Sequence, residues 1–347
     1  MDPAAYFAAA REAFEAASAS LPGDQLDLSL ADRPLHLAFA GRALPPLLGA
    51  AFRHRPAAPP GAAGLTVRCW QGRAHPPPPW PGGTGAQEHL VRRSPDGRLV
   101  AVHSVVGGSL ALLDAASDEA CYWVPEPAAL PVWERSHPLD RVLAHWHGRQ
   151  GAVMIHAGAV GTAAAGLLLV GRGGSGKSTS ALACLGSPLA LVSDDYVILT
   201  EAAGRPVAHG VYGSVQIHAE HRARFPRLLP AVDNAATPAE KPMMWLAERR
   251  PEAMRPSTPL VGIVAPRVVG SGPARWHPIS PAAALQALAP SSMLQLGTGG
   301  PAIFARMAGW CRALPCYGLE IGAGVEDLPD RLGEIIAAAE GGRRAAG

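Results

Sequence analysis

The sequence predicts an α/β protein: a nucleotide-binding core with a mixed sheet fills the second half, behind a smaller β-rich domain. Three observations lead there. A complete GxxxxGK[ST] loop, Gly171 to Ser178, follows an apolar run of strand length. A second apolar run ends in two adjacent carboxylates, Asp194 and Asp195. The front of the chain offers short apolar runs separated by turn residues, the pattern of strands.

The bulk composition agrees. With 347 residues, 48% hydrophobic and 17% charged, the chain has ample core for one large or two ordinary domains. Net charge is +2 and the arginines are scattered, so no nucleic-acid partner is expected. The most membrane-like run, residues 151–170, contains His156 and several glycines and reads as buried strands, so no membrane association is expected. Five cysteines without CxxC spacing argue against a disulfide framework and against zinc. The N-terminus lacks a basic, apolar signal segment, and a cytoplasmic location is expected.

In chain order, Asp2-Pro3 reads as a helix start, and Tyr6, Phe7, Ala10 and Phe14 form one apolar stripe. Strands are expected at 35–39, 65–70, 99–106, 109–113 and 120–124, with the prolines at 76–79 as a loop. Prolines at 125, 127 and 131 mark a boundary, which sets domains at 1–127 and 128–347. Leu139, Val142, Leu143 and Trp146 follow helical spacing. Strands at 152–160, 166–170 and 189–193 surround a helix at 178–185. Further on, 211–217 and 260–266 read as strands, and 281–288, 303–311 and 328–339 as helices.

The strand–loop–helix context is what gives the loop motif its meaning. Backbone N–H groups around Gly171, Gly173, Gly174, Ser175, Gly176, Ser178 and Thr179 would encircle a β-phosphate, and Lys177 would bridge β- and γ-phosphates. The Ser178 hydroxyl is placed to join Mg²⁺. Asp195 lies 18 residues after Lys177, about one helix and one strand onward, which returns the acid pair to the phosphates. One carboxylate can hold Mg²⁺, with Asp195 the candidate beside Ser178, and the other can take a proton from an attacking hydroxyl. Which does which is open at this level.

The link between strands 152–160 and 166–170 is too short for a parallel crossover, so the two pair antiparallel. A turn at 163–164 would put His156 opposite Gly171. There it could contact the γ-phosphate or the acid pair, or serve as a satisfied core histidine. Lysine occurs twice against 28 arginines, at Lys177 and Lys241. An ammonium is a compact point charge, so Lys241 becomes a candidate clamp on the transferred phosphate. His145 and His147 lie two apart on a helix and cannot share a metal. His218 and His221 sit in a segment with Arg222, Arg224 and Arg227 that reads as an exposed face, or as a surface for an acidic peptide.

Residues 150–200 resemble the HPr kinase/phosphorylase group, which shares its core with phosphoenolpyruvate carboxykinase. The likeness is carried by Ile155-His156-Ala157-Gly158, the loop, and Ser193-Asp194-Asp195. It implies that His156, Asp194 and Asp195 crowd the transferred phosphate. Thr179 stands where HPr kinases usually have glutamate, and an E-x-R-G-x-G stretch is lacking after residue 200. The chain is more similar to the HPr-kinase-related proteins of peptide biosynthesis, among them kinases of a terminal serine in lasso-peptide precursors. Lys241 and Pro315-Cys316-Tyr317-Gly318-Leu319 carry that likeness. It implies Mg-ATP as donor and a peptide or small-protein serine as acceptor, and leaves a homo-oligomer open. The alternatives are a small-molecule kinase and a nucleotide-gated regulatory ATPase.

Overall fold

The computed structural model describes residues 2–79, 89–222, 224–225, 232–234, 236–237, 240–298 and 300–346. It forms two compact units that meet in sequence between Gln150 and Gly151.

The first unit contains a seven-stranded sheet. Its strands are β1 (Gly23–Leu30), β2 (Arg33–Ala40), β3 (Leu65–Gln71), β4 (His89–Arg93), β5 (Leu99–Ser104), β6 (Leu110–Asp114) and β7 (Glu119–Val124). Their spatial order is β1-β2-β3-β7-β6-β5-β4, with β3 parallel to both neighbours. The β1–β2 hairpin turns on Ala31 and Asp32, both at positive φ, as a two-residue connection requires. Its helices are α1 (Pro3–Ser20), α2 (Leu44–Phe52), α3 (Val132–Ser136) and α4 (Asp140–Arg149). Asp2 caps α1 by accepting from the Ala5 amide at 3.1 Å, and the expected stripe of Tyr6, Phe7, Ala10 and Phe14 packs with Trp70, Leu110 and Leu112. The boundary expected at 127/128 lies earlier than the observed division because α4 lays its apolar side on β5 and β6. Strands β1 and β4 were not foreseen: their runs are interrupted by charged residues.

The second unit contains β8 (Val153–His156), β9 (Gly158–Gly161), β10 (Gly166–Leu169), β11 (Ala190–Ser193), β12 (Tyr196–Ala202), β13 (Arg205–Gly210), β14 (Val215–Gln216), β15 (Met243–Met244), β16 (Ser257–Val268), β17 (Arg275–Pro278) and β18 (Cys316–Ile321). Its helices are α5 (Lys177–Ala183), α6 (Ala219–Arg222), α7 (Leu246–Arg249), α8 (Pro281–Leu296), α9 (Pro301–Ala313) and α10 (Leu328–Ala346). The long strand β16 ties the sheet together. Its first residues pair with β13, its middle runs parallel to β10, and its end runs parallel to β18. The sheet is mixed, as expected. Helices cover both faces. Leu167 and Leu169 point to a core shared with α5 and α10, while Leu168 and Val170 point to one shared with α8 and α9. The expected strand at 211–217 shrinks to β14, a two-residue ladder with β15.

The hairpin register follows the short link, with Gly161 to Gly158 opposite Gly166 to Leu169. The expected single strand 152–160 is nevertheless two strands. The chain breaks at Ala157, and β8 leaves to pair with β12, so His156 faces Tyr196 and not Gly171. The strand turns off because Asp194 and Asp195 follow the same course, carrying β11 beside β9 and β12 beside β8.

Gly161 and Gly166 face each other so closely that a Cβ on Gly161 would lie 2.5 Å from the Gly166 Cα and 2.6 Å from the Ala165 carbonyl oxygen. Gly161→Ala is therefore expected to cost about 1–3 kcal/mol. Chemical denaturation of wild type and variant measures it, and equal midpoints would show that the hairpin has room to spare.

Candidate functional site

The loop after β10 folds as a phosphate cradle. Gly174 and Gly176 have φ of 76° and 106°, a region that favours glycine, and a Cβ on Gly171 would collide with the Ser175 side chain. The Lys177 side chain is buried and reaches back to donate to the Gly171 carbonyl at 2.8 Å. Burial lowers its proton affinity. Asp195 and Asp194 push the other way, and Lys241 lowers it further. Thr179 is buried at the start of α5, and the buried Ser175 hydroxyl oxygen has no hydrogen-bond partner among the described residues.

The carboxylates stand where the chain passes from β11 to β12. Asp194 is 2% exposed, and its Oδ2 accepts from the Gln216 amide at 3.0 Å. Its Oδ1 has no hydrogen-bond partner among the described residues. Burial raises its pKa above the ordinary carboxylate value, and the neighbouring Asp195 raises it further. Lys241, the Gln216 amide and the Ser178 hydroxyl pull the other way. Asp195 is held differently: its Oδ1 lies 2.7 Å from His156 Nε2. The imidazole is 4% exposed, packs 5.5 Å from the Tyr196 ring, and has its backbone N–H on the Ser292 hydroxyl at 3.2 Å.

His156 contacts Asp195 directly, and Lys177, Ser178 and Lys241 lie within electrostatic reach of Asp194. Lys241 is the most distant in sequence, yet it acts electrostatically on both Asp194 and Lys177. A buried carboxylate oxygen without a partner, beside a serine hydroxyl, is the hard oxygen set that Mg²⁺ prefers. On this geometry Asp194 suits the ion better than Asp195, which is engaged by His156. No cluster of three His, Cys, Asp or Glu side chains suited to a metal occurs among the described residues. A cleft of about 790 Å³ opens on the other flank of the loop, between Gly171–Ser175 and the ends of β16 and β18, with His277, Gln286 and Ser291 on its wall.

Other sequence candidates fall outside this group. The five cysteines are free and buried, as expected of structural thiols. His218 and His221 stack edge to face at 6.0 Å; Arg227 and the Arg222 side chain lie outside the described residues. Gln216, Tyr196 and Ser292 were missed. A backbone amide donor carries no sequence signal, and only the adjacency of Tyr196 to the acid pair could have drawn notice.

No family model matches the chain, and neither does any curated protein. Among solved structures, the HPr(Ser) kinase/phosphatase from Coxiella burnetii aligns over 56% of this chain and 96% of that chain, with 11% identity and a TM-score of 0.32. So distant a likeness leaves the chemistry to the side chains themselves. No described helix is long and apolar enough to cross a membrane.

A buried carboxylate next to a second carboxylate costs stability. Because the folded-state pKa of Asp194 is raised, its ionised form is disfavoured by folding, and the penalty is present above that pKa and absent below about pH 3.8. Asp194→Asn is expected to raise the melting temperature at pH 7 in metal- and nucleotide-free buffer, by about 2–4 °C per kcal/mol relieved. The gain should vanish as the pH falls below 4. A variant less stable at pH 7 would contradict this account of the pair.

Proposed function

We propose that the protein is a kinase that transfers the γ-phosphoryl group of Mg-ATP to a serine hydroxyl on a peptide or small protein. The sequence resemblance favours a lasso-peptide precursor as that acceptor. The observation that carries the reading is a phosphate cradle holding Lys177, next to a buried Asp194 and a His156–Asp195 pair at 2.7 Å. Such an arrangement suits phosphoryl transfer, where positioning and charge stabilisation do most of the work.

The roles follow from the geometry. Lys177, drawn back to Gly171, is placed to meet the β- and γ-phosphates, and the loop amides the β-phosphate. Asp194 and Ser178 would hold Mg²⁺, which when bound disperses the charge on the phosphate oxygens. Asp195, oriented by His156, would accept the serine proton. The serine oxygen then attacks the γ-phosphorus, the bond to the β–γ bridging oxygen breaks, and ADP departs. Lys241 neutralises charge on the phosphoryl group in flight. The acid pair lies on the β11 side of the loop and the 790 Å³ cleft on the β16 side, so a triphosphate spanning the loop would seat its nucleoside in that cleft.

Incubation with γ-labelled ATP, Mg²⁺ and candidate peptides, read by mass, tests the proposal. Label on serine supports it; label on a metabolite or free phosphate alone points to a small-molecule kinase or an ATPase. Asp195→Asn is expected to slow transfer at least about a hundredfold, the scale of a lost general base. His156→Ala should also slow transfer while ATP affinity is kept, and an unchanged rate would return His156 to a packing role.

A further inference from the structure

Lys241 stands in a short segment outside the main sheet, and something must hold a flexible side chain's backbone steady if its charge is to act at a fixed point. The side chain that does so is Asn234. It is 4% exposed, and its amide brackets Pro242, directly after the lysine: Nδ2 donates to the Lys241 carbonyl at 3.1 Å, and Oδ1 accepts from the Met243 amide at 2.8 Å. Its neighbour Asp233 extends the grip. The Asp233 amide donates to the Met243 carbonyl at 2.8 Å, and its carboxylate accepts from the Trp245 amide at 2.8 Å and pairs with Arg249.

This clamp is continuous with the acid pair. Met243 pairs with Gln216 across the β14–β15 ladder, and the Gln216 amide is the donor to Asp194. The Ile217 amide adds a bond to the Pro242 carbonyl at 3.2 Å. The Gln216–Met243 rung therefore holds Asp194 from one strand and carries the segment that begins with Lys241 on the other. Backbone hydrogen bonds thus link the Lys241 segment to the residue that holds Asp194.

We propose that Asn234 is a positioning residue for Lys241: it holds the ammonium at the phosphate end of the site without touching the nucleotide. This rests on the kinase reading above. Deleting the amide would free the backbone on the C-terminal side of Lys241 and leave Lys177, held from Gly171, where it is. A misplaced charge of this kind costs transfer about ten- to a hundredfold with little change in KM for ATP.

The chain's two lysines make a direct test practicable. Acylation by acetic anhydride, followed by mass spectrometry, reads Lys177 and Lys241 separately with and without Mg-ATP. In the wild type both should be protected by nucleotide. In Asn234→Ala, Lys241 should lose its protection while Lys177 keeps it. Equal protection of Lys241 in both proteins would overturn the proposal, as would a wild type in which nucleotide shields Lys177 alone. A general loosening of the fold would instead expose both lysines together, which also counts against it. If nucleotide shields neither lysine in the wild type, the kinase reading itself fails and this inference falls with it. Asn234→Asp keeps the acceptor for Met243 and gives up the donor to Lys241, so it serves should the alanine variant not fold. Finally, Lys241→Ala and the double variant should release phosphate from Mg-ATP at the same rate, because a positioning residue has nothing left to position. A double variant slower by the product of the two single losses would assign Asn234 a separate role.

Discussion

Two carboxylates next to each other in sequence, one of them buried, are hard to keep in a protein interior. Asp194 and Asp195 are tolerated because each is held by something different: a backbone amide for the first, an imidazole for the second. Two ammonium groups supply the balancing charge. The arrangement leaves one buried carboxylate oxygen unsatisfied, a cost that folding alone gives no reason to bear. The proposed binding of a cation and a phosphate chain would give one.

The same constraint explains the sheet. Strands β9 and β11 run side by side, and so do β8 and β12, and both chains change partners within one or two residues of each other. The change falls at Ala157 on one course and at Asp194-Asp195 on the other. Side chains at such a seam point into the gap where the ladders part, instead of into the packed faces above and below. His156 and Asp195 meet there, next to the end of β10 that opens into the phosphate loop. The helix α8 packs against β8 and supplies the Ser292 hydroxyl that receives the His156 amide.

Arginine would serve poorly in either lysine position. Lys177 fits beneath a carbonyl in a buried cradle, where a planar guanidinium would need more room and more acceptors. Lys241 acts on Lys177 at the start of α5 and on Asp194 between β11 and β12, and its backbone carbonyl is held by Asn234. A chain that otherwise uses arginine for almost every cation keeps its two lysines at one site. That coincidence was visible in the composition, although its meaning was not.

Local signals were enough to mark the loop, the acid pair, the antiparallel hairpin and the mixed sheet. Each depends on residues within one or two elements of each other: a glycine pattern, a strand-length apolar run, a link too short to cross over. The partners of those residues depend on the fold. That His156 pairs with Asp195 follows from a strand break at Ala157, which the apolar run 152–160 does not announce. That Asn234 and Gln216 govern the site follows from backbone groups brought together across a two-residue ladder, and hydrogen bonds to the backbone are blind to side-chain identity at one end. Sequence alone therefore determined which groups could do chemistry, because that is a property of residue type and spacing. Only the tertiary structure decided which of them share a site and how each is held, because that is settled by where strands part and which amides they leave exposed.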